Sequence, residues 1–399
     1  MKHLCRHCRA PLSAEVLDLG EQPPSNAYLT ADQLDRPEVK YPMRLHVCTN
    51  CWLVQLPTHI APELLFTDDY AYFSRTSASW CDHAKKFAGD ACERLKLDAQ
   101  SRVLEIASND GYLLQFFNER GIPCLGVEPT KATAEAAESI GVETLQCFFG
   151  AEVSERLEPA DLIIANNVLA HVPDINDFVD GLSRALKPGG SISLEFPHLM
   201  RLIEGNQFDT IYHEHYSYLS LSVVSRIAGR YGLAVTDVEE LATHGGSLRV
   251  WLQHEGAQTT SDAVQQIVEA EIHFGLETLE VFASFQERAS SAALALTEFL
   301  DNEARSGRQV IGYGAAAKGN TLLNYAGVTS DILPAVCDKA LSKQGKYLPG
   351  SKIPIISLPE FEDINPEMVL VLPWNLLDEI SSQWPDKNYA IAIPSLQIR

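Results

Sequence analysis

Short aliphatic runs alternate with helix-length stretches twice along the chain. In the first series, residues 101–107 (SRVLEIA) predict a buried strand, 108–111 a turn, and 112–119 a helix. A second strand over 124–128 ends in an acid, and a helix over 131–140 follows. A third strand at 161–165 leads to a helix over 177–186, a Lys187-Pro-Gly-Gly190 turn, and a strand over 191–196. Alternation at this spacing predicts an α/β fold with a doubly wound parallel sheet, whose ligand lies at the carboxyl ends of the strands. The pattern restarts near residue 308 with a Gly-containing turn and a strand over 333–337. Between the two series, residues 259–305 lack proline and carry Val264, Ile267, Val268, Leu276, Leu279 and Phe282 at helical spacing, which predicts one or two joining helices. The first 70 residues have little helical periodicity. The expected division is therefore 1–70, 71–257, a helical connector over 258–307, and 308–399.

Composition narrows the possibilities. A chain of 399 residues, 46% hydrophobic, has room for two or three cores. Its 53 acidic against 31 basic residues give a net charge of −22, which repels phosphate backbones and anionic lipid. Neither nucleic acid nor a membrane is expected as a partner, and no apolar run approaches the ~20 residues that span a bilayer. The start, MKHLCRHC, places two cysteines where a secretory signal would need apolar residues. An odd total of nine cysteines in a long chain points to a reducing, cytoplasmic setting rather than a disulfide scaffold.

Four of those cysteines form two matched knuckles, Cys5-x-x-Cys8 and Cys48-x-x-Cys51, separated by 39 residues. Four thiolates make a closed tetrahedral site suited to structural zinc, and a core-poor segment needs such a staple. His3, His7 and His46 lie near enough in sequence to replace one thiolate. Cys81, Cys92, Cys124, Cys147 and Cys337 are isolated and read as small core residues.

The first turn, EIASNDG, has Ala107 and Asn109 where a dinucleotide fold has glycines. It offers no cradle for a pyrophosphate, so a nucleoside cofactor without phosphates fits better than NAD. Glu128, 17 residues beyond Gly111, is placed to accept hydrogen bonds from ribose hydroxyls. After residue 196 comes DTIYHEHYSYL (209–219), with two His, one Glu and three Tyr between Tyr212 and Tyr218. Buried phenols and imidazoles need partners, so this segment reads as a polar catalytic cluster, with a structural network as the alternative. It lacks the His-Glu-x-x-His spacing of a metal helix. Tyr70-Ala-Tyr72-Phe-Ser74 could cap the same cleft or cement two domains. The second turn, Gly312-Tyr-Gly314-Ala-Ala-Ala317, fits a phosphate-approaching G-x-G-x-x-A, with Asp338 as a ribose acceptor and Lys339, Lys343, Lys346 and Lys352 attracting a nucleotide diphosphate. Lys318 is not followed by Ser or Thr, which disfavours ATP hydrolysis.

The ordered set, with KPGG before a late strand, resembles class I S-adenosylmethionine-dependent methyltransferases. Together the knuckles, EIASNDGYLL, NNVLAHVPD, TIYHEHYSYLS, GYGAAAKGNTLLNY, KQGKYLPGSKIPI and VLPWN resemble the sugar C-methyltransferases over essentially the whole chain. The resemblance implies a class I methyltransferase sheet with a small amino-terminal zinc-binding domain and a carboxyl-terminal Rossmann-like domain. It also implies methyl transfer from S-adenosylmethionine to carbon 3 (sometimes carbon 5) of a nucleotide-linked 4-keto-deoxysugar, carried by dTDP or another nucleotide. By the same resemblance Glu105, Asn109 and Gly111 line the methionine end, Glu128 holds the ribose, Phe148 lies near the adenine, and Asn166 and Asn167 face the methionine or substrate. Tyr70, Gly312, Gly314, Lys318, Asn324, Asp338, Lys343, Trp374 and Asn375 become candidates for substrate binding.

Carbon beside a ketone is nucleophilic only after losing a proton, so a base is required. His215 is assigned that role, with Tyr212, His171 or Tyr72 donating to the enolate oxygen and Glu214 orienting His215 or bonding a sugar hydroxyl. If Tyr212, Glu214 and His215 act together, the segment is a loop or helix start, because strand alternation would separate Glu214 from His215. Competing expectations are an O- or N-methyltransferase of a small metabolite, a nicotinamide-dependent dehydrogenase using the Gly312 turn, and a non-enzymatic zinc-ribbon adaptor. Oligomeric state is left open, with a monomer as the starting expectation.

Overall fold

The computed structural model describes residues 3–66, 73–257 and 259–399. Its central sheet has seven strands, in the order Leu233–Leu241, Ser247–His254, Leu186–Pro197, Ala160–Asn166, Val103–Ile106, Cys124–Val127 and Thr144–Leu145. The last five are mutually parallel, and Ser247–His254 adds antiparallel to Leu186–Pro197. All four residues of Val103–Ile106 are buried, as a strand covered on both faces requires. Chain order reverses beside this strand, so the switch point, and with it the ligand crevice, falls between Val103–Ile106 and Ala160–Asn166. This is the expected class I arrangement.

Local chemistry sets the flanking helices. Ala78–Leu95 starts where Ser77 Oγ accepts from the Trp80 amide, and it ends at a left-handed Lys96. Ile175–Ala185 starts at Asp174, whose carboxylate accepts from the amides of Asn176 and Asp177. The 187–190 segment differs from expectation. Rather than a turn outside the sheet, it is an irregular stretch within Leu186–Pro197, with a register shift opposite Ala160 and Leu162. The Leu233–Leu241/Ser247–His254 hairpin was not anticipated.

The amino-terminal sheet pairs Ala14–Gln22, Tyr41–Val47 and Val54–Gln55, and its fourth strand comes from far along the chain. Ser217–Tyr218, part of the polar aromatic segment, lies antiparallel to Val54–Gln55. The carboxyl-terminal sheet orders Ile355–Ile356, Val336–Cys337, Val310–Tyr313, Met368–Val371 and Asn388–Ile391 in parallel, with Gln397–Ile398 antiparallel at the edge. Two helices, Asp262–Phe274 and Phe285–Arg305, join the lobes. Phe285, Ala289 and Leu296 share one core with Leu17 and Leu45 of the first sheet, Leu370 of the last, and Leu322 of the helix Ala317–Ala326. No helix among the described residues is long and apolar enough to cross a membrane.

Candidate active site

The knuckles converge. Cys5 and Cys51 sulfurs lie 3.5 Å apart, as do those of Cys8 and Cys48, and all four fall within 4.8 Å of one another. That is the spacing of ligands around a tetrahedral zinc, and well beyond the ~2 Å of a disulfide. The Gln55 amide donates to Cys5 Sγ at 3.2 Å, and the buried Arg6 guanidinium is anchored on the Leu56 and Pro173 carbonyls. No histidine enters the set. His7 Nδ1 bonds Asn176 Oδ1 at 2.8 Å, His46 Nδ1 donates to the Arg44 carbonyl at 3.0 Å, and His3 packs its ring against His46 and His59.

At the end of Val103–Ile106 the backbone turns through left-handed Ala107 (φ 57°), Asn109 (φ 49°) and Gly111 (φ 74°). The chain thus adopts a glycine-type loop with two non-glycine residues; Asn tolerates this, and for Ala the cost is roughly 1–2 kcal/mol. Glu105, Asp110 and Glu128 crowd this turn. Burial, Glu128 and Asp110 together push the Glu105 carboxyl well above the usual carboxylate range. Glu105 Oε2, Asp110 Oδ1 and Asn167 Nδ2 are buried without hydrogen-bond partners among the described residues. Glu128 is held in place: its carboxylate accepts from the Asn109 amide (2.9 Å) and from the amide (3.0 Å) and hydroxyl (2.6 Å) of Thr130. Two carboxyl groups with orphaned acceptors, Glu105 and Asp110, beside the fixed carboxylate of Glu128 suit a cofactor carrying an ammonium and a sulfonium, and they repel a pyrophosphate. The residues therefore fit S-adenosylmethionine.

The neighbouring assignments separate. Asn166 turns toward the sheet, accepting from Ser193 Oγ (3.0 Å) and donating to Glu195 (3.3 Å), whereas Asn167, left-handed at φ 56°, leaves its buried Nδ2 without a partner among the described residues. Phe148 is 43% exposed, three residues beyond Thr144–Leu145. The Ser74 and Arg75 amides dock on Asn109 Oδ1 (2.9 Å) and Asp110 Oδ2 (3.0 Å), so the segment after residue 72 covers the turn. Tyr70 and Tyr72 lie outside the described residues.

A Cβ at position 111 would meet Val142 Cγ2 at 3.1 Å and Ala137 Cβ at 3.2 Å. Gly111→Ala is expected to lower stability by about 1–2 kcal/mol and to weaken S-adenosylhomocysteine binding. Thermal melting and calorimetric titration check both; an unchanged titration would show that this turn does not shape the cofactor site.

Residues 211–216 form a turn, closed by the His215 amide donating to the Tyr212 carbonyl at 2.9 Å. His215 is buried, and its Nδ1 donates to the Thr210 carbonyl at 2.9 Å. That bond fixes the tautomer, so Nε2 is the acceptor, and it receives the Tyr212 hydroxyl at 2.7 Å. Burial, His171 and Lys318 hold the imidazole well below its usual range, hence neutral. His171, pushed down to about 4 by burial, packs edge-on against His215 with ring centroids 4.6 Å apart. The Glu214 carboxyl, raised by burial, accepts from Asn26 at 3.1 Å through Oε1, and its Oε2 is buried without a partner among the described residues. His213 points instead to the amino-terminal sheet, bonding the Tyr41 carbonyl at 3.3 Å.

The carboxyl-terminal lobe contributes Lys318, whose Nζ donates to Asn375 at 3.0 Å and lies 4.9 Å from the Trp374 ring centroid. The Trp374 indole donates to Asp209 at 2.8 Å, tying this group to the base of the His215 turn. The remaining candidates go elsewhere. Asp338 accepts from the Ala315 and Ala340 amides at 2.8 Å each, and Lys343 is held by the Ala315 carbonyl (2.9 Å) and Asp338. A Cβ at Gly314 (φ 89°) would lie 2.5 Å from Pro373, and one at Gly312 2.7 Å from Val336, so these glycines permit close packing. Asn324 donates both amide hydrogens to the Asn320 and Pro349 carbonyls, away from the cleft. Of the four clustered lysines, Lys339 bonds Gln383 and Lys352 bonds the Leu34 carbonyl, so they form no open cationic rim.

Asn26, Tyr28 and Asp209 went unnoticed in the sequence. Tyr28 donates to the Ala315 carbonyl at 2.6 Å, so the loop carrying Asn26 bridges the catalytic turn and the last lobe. The one available signal was a polar S-N-A-Y stretch after two prolines, which reads as an ordinary loop.

Three family models match successive parts of the chain: "Putative zinc binding domain" over residues 5–66, "Methyltransferase domain" over 72–238, and "C-methyltransferase C-terminal domain" over 242–390. The C-methyltransferase NovU of Streptomyces niveus is 33% identical over 381 residues, covering 94% of this chain and 90% of the relative. A ubiquinone biosynthesis O-methyltransferase of Rhodopseudomonas palustris (strain BisB18) is 28% identical over 31% of this chain and 58% of its own length. Among solved structures, the PH0226 protein of Pyrococcus horikoshii OT3 aligns at 14% identity over 46% of this chain and 95% of its own, with a TM-score of 0.39. NovU matches across the cysteine knuckles, the anionic crevice and the last lobe alike, and with it the chain belongs to the S-adenosylmethionine-dependent C-methyltransferases.

Proposed function

We propose that the enzyme methylates the carbon beside the ketone of a nucleotide-linked 4-keto-deoxysugar, carbon 3 in the first instance, through an enolate. The observation that carries this reading is the Tyr212–His215 pair, a neutral imidazole with its acceptor nitrogen on a phenol, packed against His171, which follows the central strand Ala160–Asn166. Bound S-adenosylmethionine supplies an electrophilic methyl group. Glu105, Asn109, Gly111, Glu128 and Asn167 hold it, with Phe148 toward the adenine and Asn166 bracing the strand end.

The chain's own part is to make the carbon nucleophilic. The C–H bond breaks toward the Tyr212 oxygen while the phenolic proton passes to His215 Nε2, leaving an imidazolium and an enolate. His171 packs beside the pair with its one N–H turned to the Glu214 carbonyl, and the re-protonated Tyr212 hydroxyl or Tyr72 donates toward the enolate oxygen. Glu214 Oε2 accepts a sugar hydroxyl, and Asn26 keeps its other oxygen fixed. Lys318, Trp374 and Asn375 meet the nucleotide-bearing end of the substrate. They are backed by Gly312, Gly314, Asn324, Asp338 and Lys343, which support that lobe, and Tyr70 remains a substrate-binding candidate. A reduced, cytoplasmic setting belongs to this reading, since thiolate ligands require it.

The test uses a dTDP-linked 4-keto-deoxysugar. With S-adenosylhomocysteine in D2O, the α-proton should exchange; with 13C-methyl-labelled S-adenosylmethionine, the label should appear on carbon 3. A label on oxygen, or no exchange and no transfer, overturns the proposal.

A further inference from the structure

The hairpin loop Thr243–Gly246 lies where the central sheet's hairpin meets Trp374 of the last lobe, and no role has yet been given to it. His244 sits there in a left-handed conformation (φ 54°, ψ 21°), followed by Gly245 at φ 85° and Gly246 at φ 115°. Three consecutive positive φ values persist because the loop is pinned from several sides. The Gln207 amide donates to the Gly245 carbonyl at 2.8 Å, and the His198 amide donates to the Gly246 carbonyl at 3.0 Å. Trp374 packs so closely that a Cβ at Gly245 would lie 2.3 Å from its ring. Backbone held in a sparsely populated region, with every supporting bond made by the backbone, presents a side chain rather than burying one.

That side chain makes no hydrogen bond to any described residue. Its ring tilts against Trp80 with centroids 5.3 Å apart, and Trp80 in turn stacks on His83 at 4.9 Å. The imidazole is influenced by Lys318 from the last lobe, by Glu195 and His83 from the central sheet and its first helix, and by His171 from the catalytic cluster. It is therefore central to the groups that three separate elements bring to the cleft. Burial and Lys318 push it down to about 4, so it stays neutral and can donate or accept one hydrogen bond.

We infer that His244 is a further substrate-contacting residue, whose imidazole hydrogen-bonds an oxygen of the methyl acceptor. The assignment rests on the function proposed above. It explains why a strained histidine occupies a position where glycine or asparagine would be easier to accommodate.

That difference provides the test. His244→Gly removes the imidazole and relieves the backbone, so a merely structural histidine predicts equal or greater stability with full activity. The inference predicts a melting temperature at or above wild type and S-adenosylhomocysteine affinity within about twofold. It also predicts kcat/KM for the dTDP-linked 4-keto-deoxysugar down by about ten- to a hundredfold, the scale of one lost hydrogen bond. His244→Asn, which keeps a donor and tolerates the same backbone, should recover part of the loss. Wild-type kcat/KM in His244→Gly overturns the inference, as does a loss that merely parallels falling stability and cofactor affinity. A wild-type enzyme inert toward this sugar overturns the functional proposal itself, and this assignment with it.

Discussion

Stripping the metal from the Cys5, Cys8, Cys48 and Cys51 cluster is expected to lower the melting temperature by about 10 °C or more and to abolish turnover. The stability part follows from the metal tying the two knuckles across 39 intervening residues, in addition to the packing of Leu17 and Leu45 in the shared core. Zinc binding in small thiolate domains contributes on the order of 10 kcal/mol of apparent folding energy at neutral pH, comparable with the whole stability of an ordinary domain. The loss of turnover follows from strand pairing. Ser217–Tyr218 is the fourth strand of the metal-bearing sheet, paired with Val54–Gln55, and it begins two residues after His215. Losing that sheet also frees Asn26 from Glu214, so both the imidazole and the carboxyl lose their supports. The other face of the central sheet packs Val103, Leu114, Phe117, Ile164 and Trp251 in a core that no residue of the knuckles enters, so S-adenosylhomocysteine should still bind. Metal content by mass spectrometry, melting curves and turnover, before and after a thiophilic chelator, make the comparison; Cys48→Ser should reproduce it. A metal-free protein that melts and turns over like the original would show that the cluster is not a staple.

Local chemistry explains what was readable in advance. Cysteine knuckles announce themselves because both ligands of each pair sit within four residues. The central strands do so because Val103–Ile106 and Ala160–Asn166 are largely buried and mostly aliphatic, with Glu105, Asp161 and Asn166 the exceptions. Polar contacts between distant segments leave no such trace. Asn26 meets Glu214 across 188 residues, and Trp374 meets Asp209 across 165. The Gly312 turn illustrates a different limit. A G-x-G spacing answers equally to a phosphate and to a packed neighbour, and here Pro373 and Val336 occupy the space a side chain would need. His244 was hidden for a third reason: its hairpin carries Glu239, Glu240 and Arg249 on strands flanking a Gly-Gly turn, a pattern that resembles a surface loop.

His215→Asn and Tyr212→Phe should each cut turnover by about 10²-fold or more, while leaving S-adenosylhomocysteine affinity unchanged. Their double variant should be hardly worse than either alone. The reasoning is that the two side chains move one proton between them: Tyr212 meets the carbon acid only because His215 Nε2 can take the phenolic hydrogen, and His215 faces Tyr212 only because the Thr210 carbonyl fixes its tautomer. Groups that act as a unit show non-additive losses. The pH profile gives a second, independent reading. Burial, His171 and Lys318 all favour the neutral imidazole, so its folded value lies below 6.5. The acceptor nitrogen is therefore available at pH 6.5 and above, and it is lost only as pH falls further and the ring takes up a proton. The acid limb of kcat/KM should accordingly lie below 6.5 in the wild type and be absent or displaced in the residual activity of His215→Asn. Additive losses would mean that the tyrosine and histidine serve separate steps, and wild-type turnover in His215→Asn would remove the imidazole from proton transfer altogether.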